Sequence, residues 1–398
     1  MAHVDGEKPK ITIASSLSVP FKSGSGLNAF RLAATFVKLG YNVTHFTYDW
    51  GGKYPRHEWQ QGVHIFRSRF FWSFYGDSKS KLYASVPFVI FYYARAIYSS
   101  EVVILFGPMG SFRILSLCII IAKLLRKKVI YRSTMLGGDD ITQLIERFSN
   151  PSTKKILGAL DGYWSLSPAF TQSYLRHIPS PEKVLESFQG VDTQQFFPPN
   201  PALKSRLRRK YKLSSEKTIL ISVGYVNMRK GYDDIFNILS QINSPFVYLV
   251  VGQYRAEEYN FGEKERKEMK KLYNQGLKDL SGRIQFIGER DNVWEWLQLS
   301  DIFIMNSHKE GVPNVLLEAM ACSLAIATSP IPGVAEKLTI HNVNAEVFST
   351  NSEMYASISK LILNTNYRQN LGKQASKMIM ENYSIRQVAN RLIKKYLM

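Results

Sequence analysis

Short apolar segments alternate with segments of helical periodicity along nearly the whole chain, and this alternation restricts the possible folds more than any other feature. The first unit reads KITIAS, a Ser- and Gly-rich turn, AFRLAATFVKLG and then YNVTHFTY. The pattern recurs in EVVILF, RILSLCIIIAKLL and KKVIYRS, and again in GYWSLS, AFTQSYLRHI and EKVLESF. Strands that are joined through helices form parallel sheets with helices on their faces. The sequence therefore predicts an α/β protein.

A proline-rich segment, GVDTQQFFPPNP, interrupts the alternation, which then restarts with KTILISVG, FVYLVVG, RIQFIG, DIFIMNS and LAIATS. We therefore predict two Rossmann-like domains, residues 1–195 and residues 196–380. A C-terminal helix within 381–398 is expected to pack back on the N-terminal domain. Because ligands bind at the carboxyl ends of parallel strands, we expect the site in a cleft between the two domains.

The composition excludes several classes of protein. Of 398 residues, 45% are hydrophobic, which indicates well-formed cores. The two cysteines, Cys118 and Cys322, provide no disulfide or metal framework. The start MAHVDGEKPK does not resemble a secretory signal, and the longest apolar runs are too short to span a bilayer. A cytoplasmic protein, or one peripheral to the inner face of the cell membrane, is expected.

The formal net charge of +19 is concentrated between Lys53 and Arg132, where thirteen Lys and Arg face only Glu58, Asp77 and Glu101. Aromatic residues interleave with the cations, as in RSRFFWSFYGDSKSKLY. An anionic membrane and a nucleic acid would both suit this chemistry. The alternative is that most aromatics belong to the core and the cations only solubilise the protein. We predict membrane contact through four aromatic residues: Phe70, Phe71, Trp72 and Phe74.

Two glutamates mark the stretch KEGVPNVLLEAMA. Glu310 follows the apolar strand DIFIMNS, a helix is predicted to begin near Asn314, and Glu318 lies about one turn inside it. The first N–H groups of a helix attract anions, phosphate above all. Carboxylates beside a phosphate should face something else, so we expect them to bind sugar hydroxyls. An isolated pair of this kind would more often be a solvated loop residue and an ordinary helix residue.

A basic pair, Arg229 and Lys230, follows the strand ILISVG in the sequence SVGYVNMRKGYDD. Two cations beside a helix start suit the charges of a diphosphate. A third turn, SPIPGVAEKL, follows LAIATS and carries Gly333 and Glu336. Because all three turns follow strands of one predicted parallel sheet, they should lie at the same edge.

Four segments together carry a family resemblance: GSGLNAFRLAATFVKLGYNVTHFT, GVDTQQFFP, SVGYVNMRKG and the block from Asp301 to Glu336. The chain resembles the family 4 retaining glycosyltransferases, which belong to the group 1 glycosyl transferases and use nucleotide-sugar donors. The resemblance implies the GT-B fold, in which two Rossmann-like domains face each other across a cleft.

The resemblance also implies roles for individual residues. Glu310 should contact hydroxyls of the transferred sugar near the reacting carbon, and it forms the catalytic group with Arg229 and Lys230. Glu318 should bind the ribose. The remaining donor-binding residues are the glycines of the first loop, the turn that holds the diphosphate, and two residues near the nucleobase: Gly24, Gly26, Gly311, Val312, Pro313, Asn314, Val315, Ile287 and Arg290.

Two departures from the family pattern concern residues expected at the site. Tyr225 stands where many members carry Arg, and Arg229 is expected to supply that charge. A histidine common in the N-terminal domain is missing from VIYRSTMLGGDD, where Arg132, Ser133 or Thr134 stands instead. We expect Arg132, Asp139 and Asp140 to bind the acceptor, although a solvated turn is an alternative for the two aspartates.

The expected activity is transfer of a sugar, with retained configuration, from a donor such as a UDP- or GDP-sugar to a saccharide acceptor, which we expect to be lipid-linked. Surface polysaccharide or glycolipid synthesis is the predicted context, with no nucleic acid partner. No Asp-Xaa-Asp occurs in the chain, so we expect neither a metal nor another cofactor. Alternatives are a sugar-nucleotide epimerase of GT-B fold, a phosphorylase that needs a pyridoxal lysine, and a non-catalytic basic protein that binds a membrane or nucleic acid. A covalent nucleophile is the less favoured role for Glu310.

Overall fold

A computed structural model of the protein describes residues 8–20, 23–50, 52–70, 79–148, 151–254, 262–308, 310–331, 333 and 336–398, with only the backbone at 70 and 79–82. The chain forms two compact units. Unit 1 comprises residues 1–190 and 385–398, and unit 2 comprises residues 191–384. The predicted boundaries at residues 195 and 380 differ from these by a few residues.

Strands and helices alternate through both units. The strands are β1 (Ile11–Ser15), β2 (Val43–Trp50), β3 (His57–Gln60), β4 (Val63–Phe70), β5 (Val102–Phe106), β6 (Lys128–Arg132), β7 (Gly162–Ser165), β8 (Val184–Glu186), β9 (Thr218–Val223), β10 (Phe246–Val251), β11 (Ile284–Gly288), β12 (Ile302–Met305), β13 (Ala325–Thr328) and β14 (Glu346–Val347). The α-helices are α1 (Gly24–Lys38), α2 (Lys79–Ile97), α3 (Phe112–Leu124), α4 (Ile141–Arg147), α5 (Pro151–Gly158), α6 (Pro168–His177), α7 (Pro201–Lys210), α8 (Tyr232–Ser240), α9 (Glu263–Asp279), α10 (Val293–Leu299), α11 (Asn314–Ala321), α12 (Asn351–Leu363), α13 (Thr365–Asn382) and α14 (Ile385–Leu392).

The sheet of unit 1, as far as the chain is described, has the strand order β3-β4-β2-β1-β5-β6-β7-β8. Every neighbouring pair is parallel except β3 and β4, which form an antiparallel hairpin at one edge. β1 lies at the centre, where Ile11 pairs with Val43 on one side and with Val102 on the other. All five residues of β1 are buried, as expected for a strand covered by helices on both faces.

The hairpin and α2 were not predicted, because this segment was interpreted from its charge and aromatic content. Arg67 of β4 is a buried cation whose guanidinium is engaged by partners. Its guanidinium lies 2.7 Å from the Glu58 carboxylate and donates to the carbonyl oxygens of Pro55 and Val19. Several aromatic side chains of the segment are in the core, Phe66 and Tyr93 among them, while others are exposed. The alternative that aromatic residues between Lys53 and Arg132 belong to the core therefore holds for some of them.

The sheet of unit 2 has the order β11-β10-β9-β12-β13-β14 in the described residues, and all of its pairs are parallel. Its buried core joins Leu220 of β9, Tyr248 of β10 and Ile304 of β12 with apolar residues of the surrounding helices. The helix α7 was not predicted. It begins at Pro201 with Asn200 as its cap, so the prolines of the expected linker lead directly into a helix.

The segment after residue 384 returns to unit 1, where α14 packs against α1. Beyond α14, the buried Tyr396 donates its hydroxyl to the carbonyl oxygens of Lys183, at 2.8 Å, and Tyr163, at 3.1 Å. Packing against unit 1 is what the sequence predicts for a C-terminal helix within residues 381–398. Among the helices in the described ranges, none has the length and hydropathy needed to cross a membrane.

Candidate active site

The middle of the unit 2 sheet contains a point where the chain direction reverses. β9 and β12 are neighbours there, but the chain leaves β9 towards β10 on one side and leaves β12 towards β13 on the other. Such a reversal point, at the carboxyl ends of the strands, is the usual ligand position in open α/β sheets. The loop after β9 carries Arg229 and Lys230, and the loop after β12 carries Glu310.

These three side chains form one ion cluster. Lys230 Nζ lies 2.6 Å and Arg229 Nη1 lies 2.9 Å from the same carboxylate oxygen of Glu310. The exposed fractions of the side chains are 12% for Glu310, 15% for Lys230 and 44% for Arg229. Two cations thus share one carboxylate, so the cluster keeps a net positive charge at this edge of the sheet.

Two side chains that the sequence analysis did not single out hold the basic turn in place. Asn227 accepts a hydrogen bond from the backbone N–H of Lys230 at 3.1 Å, and Glu268 of α9 accepts one from the N–H of Met228 at 2.6 Å. On the other side, the N–H of His308 donates to the carbonyl of Arg229 at 2.9 Å. Asn227 could have been identified from the sequence, since Asn is a preferred cap at a helix start.

Gly231 explains how the two loops approach each other so closely. Its φ of 64° lies in the left-handed region, and a Cβ there would lie 2.3 Å from the carbonyl oxygen of Asn306. Any other residue would push the end of β12 away from the basic turn. The glycine of the RKG sequence therefore has a packing role in addition to its turn conformation.

The helix α11 begins at Asn314, which confirms the predicted start. Gly311, Val312 and Pro313 form the turn between Glu310 and this helix. The N–H groups of Asn314 and Val315 come before the first intrahelical hydrogen bond and face the turn. This geometry suits a phosphate at that point.

Glu318 lies one turn further along α11 and is buried. Its expected contact with a ribose stays a prediction. Ile287 lies in β11 and is half-buried, and Arg290 just beyond is exposed, with its Nη1 donating to the carbonyl of Glu289 at 3.1 Å. Both residues lie at the same sheet edge as the ion cluster, two strands away from β9. Their contact with a nucleobase stays a prediction.

In unit 1 the chain direction reverses between β1 and β5. Gly24 and Gly26 follow β1, but they are not in a loop as predicted, because α1 begins at Gly24 and Ser23 caps it by accepting from the N–H of Gly26 at 3.1 Å. A Cβ on Gly26 would lie 2.2 Å from the carbonyl oxygen of Leu17. The structure thus needs this glycine for packing of the helix start, and its approach to a donor stays a prediction.

The loop after β5 was missed by the sequence analysis. It reads GPMGS, and three of its residues have left-handed φ angles: Gly107 (68°), Met109 (53°) and Gly110 (85°). The hydroxyl of Tyr48 fixes it by donating to the carbonyl of Met109 at 2.9 Å. A Gly-Pro-Xaa-Gly sequence between an apolar strand and a helix is a turn signal that could have identified this loop.

Arg132 is buried inside unit 1. Its guanidinium stacks over the rings of Phe106, at 4.7 Å, and Trp164, at 5.0 Å, and its Nη2 donates to Gln189 Oε1 at 3.0 Å. Burial lowers the pKa of Arg132 to about 10, so the side chain is still a cation at neutral pH. The side chain therefore lies in the interior, and its expected contact with an acceptor stays a prediction.

Asp139 and Asp140 are both buried, which rules out the solvated turn. The Asp139 carboxylate accepts hydrogen bonds from the N–H groups of Thr134, at 2.8 Å, and Met135, at 2.7 Å. Burial raises the pKa of this carboxyl against the opposing effect of these donors. Asp140 caps α4 by accepting from the N–H of Gln143 at 3.2 Å. The two carboxylates thus shape their own loop, and a role in acceptor binding stays a prediction.

Three of the four aromatic residues expected at a membrane, Phe71, Trp72 and Phe74, lie outside the described residues. Phe70 is the last residue of β4, and its side chain is not described. The predicted contact through these four residues is therefore untested.

Comparison with known proteins agrees with the fold. Sucrose-phosphate synthase from Thermosynechococcus elongatus superposes with a TM-score of 0.77 at 16% identity and covers 98% of both chains. Anabaena HepE in complex with UDP and glucose superposes with a TM-score of 0.73 at 14% identity, covering 97% of this chain and 98% of that one. These likenesses confirm the predicted α/β fold with two Rossmann-like domains of the GT-B class.

Sequence comparison reaches the same group of proteins. An α-1,3-N-acetylgalactosaminyltransferase of Campylobacter jejuni, named for N,N'-diacetylbacillosaminyl-diphospho-undecaprenol, is 26% identical over 209 residues. This alignment covers 52% of this chain and 52% of that protein, so the chain spans about half the length of that relative. Residues 204–378 match the family model of the glycosyl transferases group 1. The match covers most of unit 2, including the ion cluster of Arg229, Lys230 and Glu310. Residues 204–378 of this chain are therefore a glycosyl transferases group 1 domain.

Proposed function

We propose that this protein is a retaining glycosyltransferase that moves a sugar from a UDP- or GDP-sugar to a lipid-linked saccharide during surface polysaccharide or glycolipid synthesis. The ion cluster of Arg229, Lys230 and Glu310 carries this proposal. It combines two cations for a diphosphate with one carboxylate for sugar hydroxyls, at the reversal point of a parallel sheet.

The cluster suggests how a donor would be bound. Without a ligand, Glu310 neutralises part of the charge of Arg229 and Lys230. A diphosphate that enters beside the start of α11 would take over these cations, because it offers more negative charge and more acceptor oxygens. Glu310 would then be available to the sugar hydroxyls. The same cations would stabilise the diphosphate as it leaves.

The reaction that we propose needs no side-chain base. The bond between the anomeric carbon and the diphosphate oxygen breaks, and the acceptor hydroxyl oxygen bonds to that carbon on the same face. The acceptor proton passes to the departing phosphate oxygen, so charge and atoms balance. Because Arg229, Lys230 and the start of α11 supply the positive potential, we propose that the reaction is metal-independent.

The lipid-linked acceptor is supported by two observations. The Campylobacter jejuni relative is named for an acceptor on undecaprenol diphosphate. In this chain the excess of positive charge lies in unit 1, within the segment from Lys53 to Arg132. Because the group 1 domain with its ion cluster lies in unit 2, we assign the acceptor to unit 1.

We expect Lys230→Ala and Arg229→Ala each to weaken binding of UDP or GDP about tenfold or more, because each removes a charge-assisted hydrogen bond to phosphate. The loss should be larger for Lys230, which is the less exposed of the two. Isothermal titration calorimetry measures it, with Lys267→Ala on the exposed face of α9 as the control. Unchanged affinity in both variants would contradict the assignment.

We expect transfer activity to persist after dialysis against EDTA, since protein cations and not a metal neutralise the diphosphate in this proposal. Turnover of each donor is measured by release of nucleoside diphosphate with and without added Mg²⁺ or Mn²⁺. Activity that disappears in EDTA and returns only with metal would overturn the metal-independent mechanism. In the same assay, isomerisation of a donor without acceptor would favour the epimerase alternative.

A further inference from the structure

The helix α2 exposes a stripe of aromatic side chains. Phe88 and Phe91 are three residues apart on one face of the helix, Tyr98 follows its last residue, Ile97, and Tyr83 lies nearer its start. Phe91 is 61% exposed. The opposite face is buried in the core of unit 1 through residues such as Val89 and Tyr93. The stripe is thus held on a helix that cannot turn its aromatic residues inwards.

A second apolar stripe lies on α3. Leu117, Ile120 and Leu124 are exposed and are separated by three and four residues, the spacing of a single helix face. Leu124 is 77% exposed. The buried face of α3 includes Leu115, Cys118 and Ile119. Exposed apolar residues that are scattered singly are ordinary, but a contiguous group on one face indicates an interaction surface.

The two stripes run side by side. The crossovers from β4 to β5 and from β5 to β6 move in the same direction along the sheet, so right-handed connections place α2 and α3 on the same face. At one end the Arg113 guanidinium stacks over the ring of Tyr83 at 5.7 Å and donates to its hydroxyl. At the other end Lys127 Nζ donates to the carbonyl of Tyr98 at 2.7 Å. We call the resulting surface the α2–α3 face.

The charged residues of the two helices are all cations. Neither residues 79–100 nor residues 112–128 contain an Asp or Glu. The cations of the two segments whose side chains are described are Arg95, Arg113, Lys123, Arg126, Lys127 and Lys128. Lys123 is paired with Asp161 at 2.8 Å. The others leave a clear positive excess at both ends of the apolar stripes.

We propose that the α2–α3 face enters the headgroup region of an anionic membrane. This deepens the proposed function by naming the surface that brings unit 1 to a lipid-linked acceptor. Apolar side chains flanked by cations bind anionic bilayers because burial of apolar area and attraction to lipid charge act together. The exposed Tyr, Phe and Leu side chains suit the boundary between headgroups and acyl chains. A protein partner would also cover apolar area, but the absence of carboxylates along both helices favours an anionic surface.

Sedimentation of the full chain with vesicles tests the proposal. We expect binding to phosphatidylcholine vesicles that contain about one third phosphatidylglycerol, and little binding to phosphatidylcholine alone. Raising the salt from about 0.1 M to about 1 M should weaken binding, because it shortens the Debye length from about 10 Å to about 3 Å. Equal binding to both kinds of vesicle would contradict the proposed attraction between the cations of the face and the lipid charge.

A matched pair of double variants identifies the surface. We expect Phe91→Ser with Leu124→Ser to lower the partition coefficient at least about tenfold, because two apolar side chains are lost from the bilayer. The control is Trp59→Ser with Leu363→Ser: Trp59 is on β3, and Leu363, 74% exposed, ends α12 as Leu124 ends α3. The control should bind as the unchanged protein does, and both variants should keep their melting temperatures. Equal losses in the two pairs would overturn the assignment.

A fluorescent label gives a readout of depth. Cys118 and Cys322 are buried, and burial raises the pKa of both thiols, so an introduced cysteine is labelled selectively. An environment-sensitive dye on Leu124→Cys should shift to shorter wavelength on anionic vesicles, whereas the dye on Leu363→Cys should not. A shift at both positions, or at neither, contradicts the proposal.

Two further outcomes distinguish membrane binding from self-association and from the proposed transferase function. If the Phe91 and Leu124 variant loses self-association in sedimentation velocity while the unchanged protein ignores vesicles, the face is an interface between copies and the membrane proposal is wrong. If the protein binds vesicles as expected but neither UDP nor GDP binds, the surface stands and the proposed transferase function fails.

Discussion

Replacing Glu310 with Gln is expected to lower kcat about 100-fold or more, the usual cost of removing one electrostatic contact near developing charge. The affinity for UDP or GDP should stay the same or increase. The reason is the ion cluster, in which the Glu310 carboxylate competes with phosphate for Lys230 at 2.6 Å and for Arg229 at 2.9 Å. Steady-state kinetics and calorimetry on the same preparation measure the two effects.

Glu318→Gln is the matched control for this experiment, because it changes a second carboxylate in the same region, one turn inside α11. We expect it mainly to raise the donor KM, as for a group that binds ground state and transition state equally. If Glu310→Gln instead weakens nucleoside diphosphate binding in proportion to its loss of kcat, Glu310 orients the cations and does not act on the sugar. Small, equal effects of both substitutions would assign the pair a structural role.

Replacing Asp301 with Ala is expected to lower the free energy of unfolding of unit 2 by about 3–5 kcal/mol, because it leaves the buried Arg208 and the partly buried Lys204 without their partner. Asp301 lies just before β12, where its carboxylate oxygens are 2.7 Å from Lys204 Nζ and 2.7 Å from Arg208 Nη2 of α7. It also accepts the N–H of Ile219 in β9 at 2.7 Å. One side chain thus ties α7 to the strands that present the ion cluster.

Urea unfolding measures this effect, and Glu263→Ala is its control, since Glu263 pairs with Lys267 on the surface of α9 and is 76% exposed. Such a surface pair should contribute at most about 0.5 kcal/mol. A loss below about 1 kcal/mol for Asp301→Ala would contradict the prediction, because breaking a buried pair costs several times more.

The same site predicts a pH dependence. Burial alone would raise the pKa of Asp301, but Lys204 and Arg208 outweigh it and hold the pKa below the ordinary value. A carboxyl with a lower pKa in the folded state stabilises the fold at neutral pH and loses that contribution as the pH falls through the folded pKa. The difference in unfolding free energy between the unchanged protein and Asp301→Asn should therefore shrink in acid. A constant difference from neutral pH to acid would contradict this.

Local patterns in the sequence predicted the elements that their own residues determine. The buried strands β9 and β12 consist mostly of apolar residues, and α11 begins at Asn314 because Gly and Pro precede a run of helix formers. The β3–β4 hairpin and α2 were not predicted, because the cations of this segment interrupt the apolar pattern by which buried elements are recognised. Burial of Arg67 depends on carbonyl oxygens from other parts of the chain, and no local pattern shows them.

The sequence by itself determined that this chain is an α/β protein and which residue types stand at the ends of its strands. Only the tertiary structure decided which of those ends meet. Arg229 and Glu310 are 81 positions apart and come together because β9 and β12 are neighbours, which places the loops after them side by side. The α2–α3 face likewise depends on crossovers that place two helices side by side. Strand order and helix packing follow from contacts between distant residues, whereas periodicity reports only the face that each element buries.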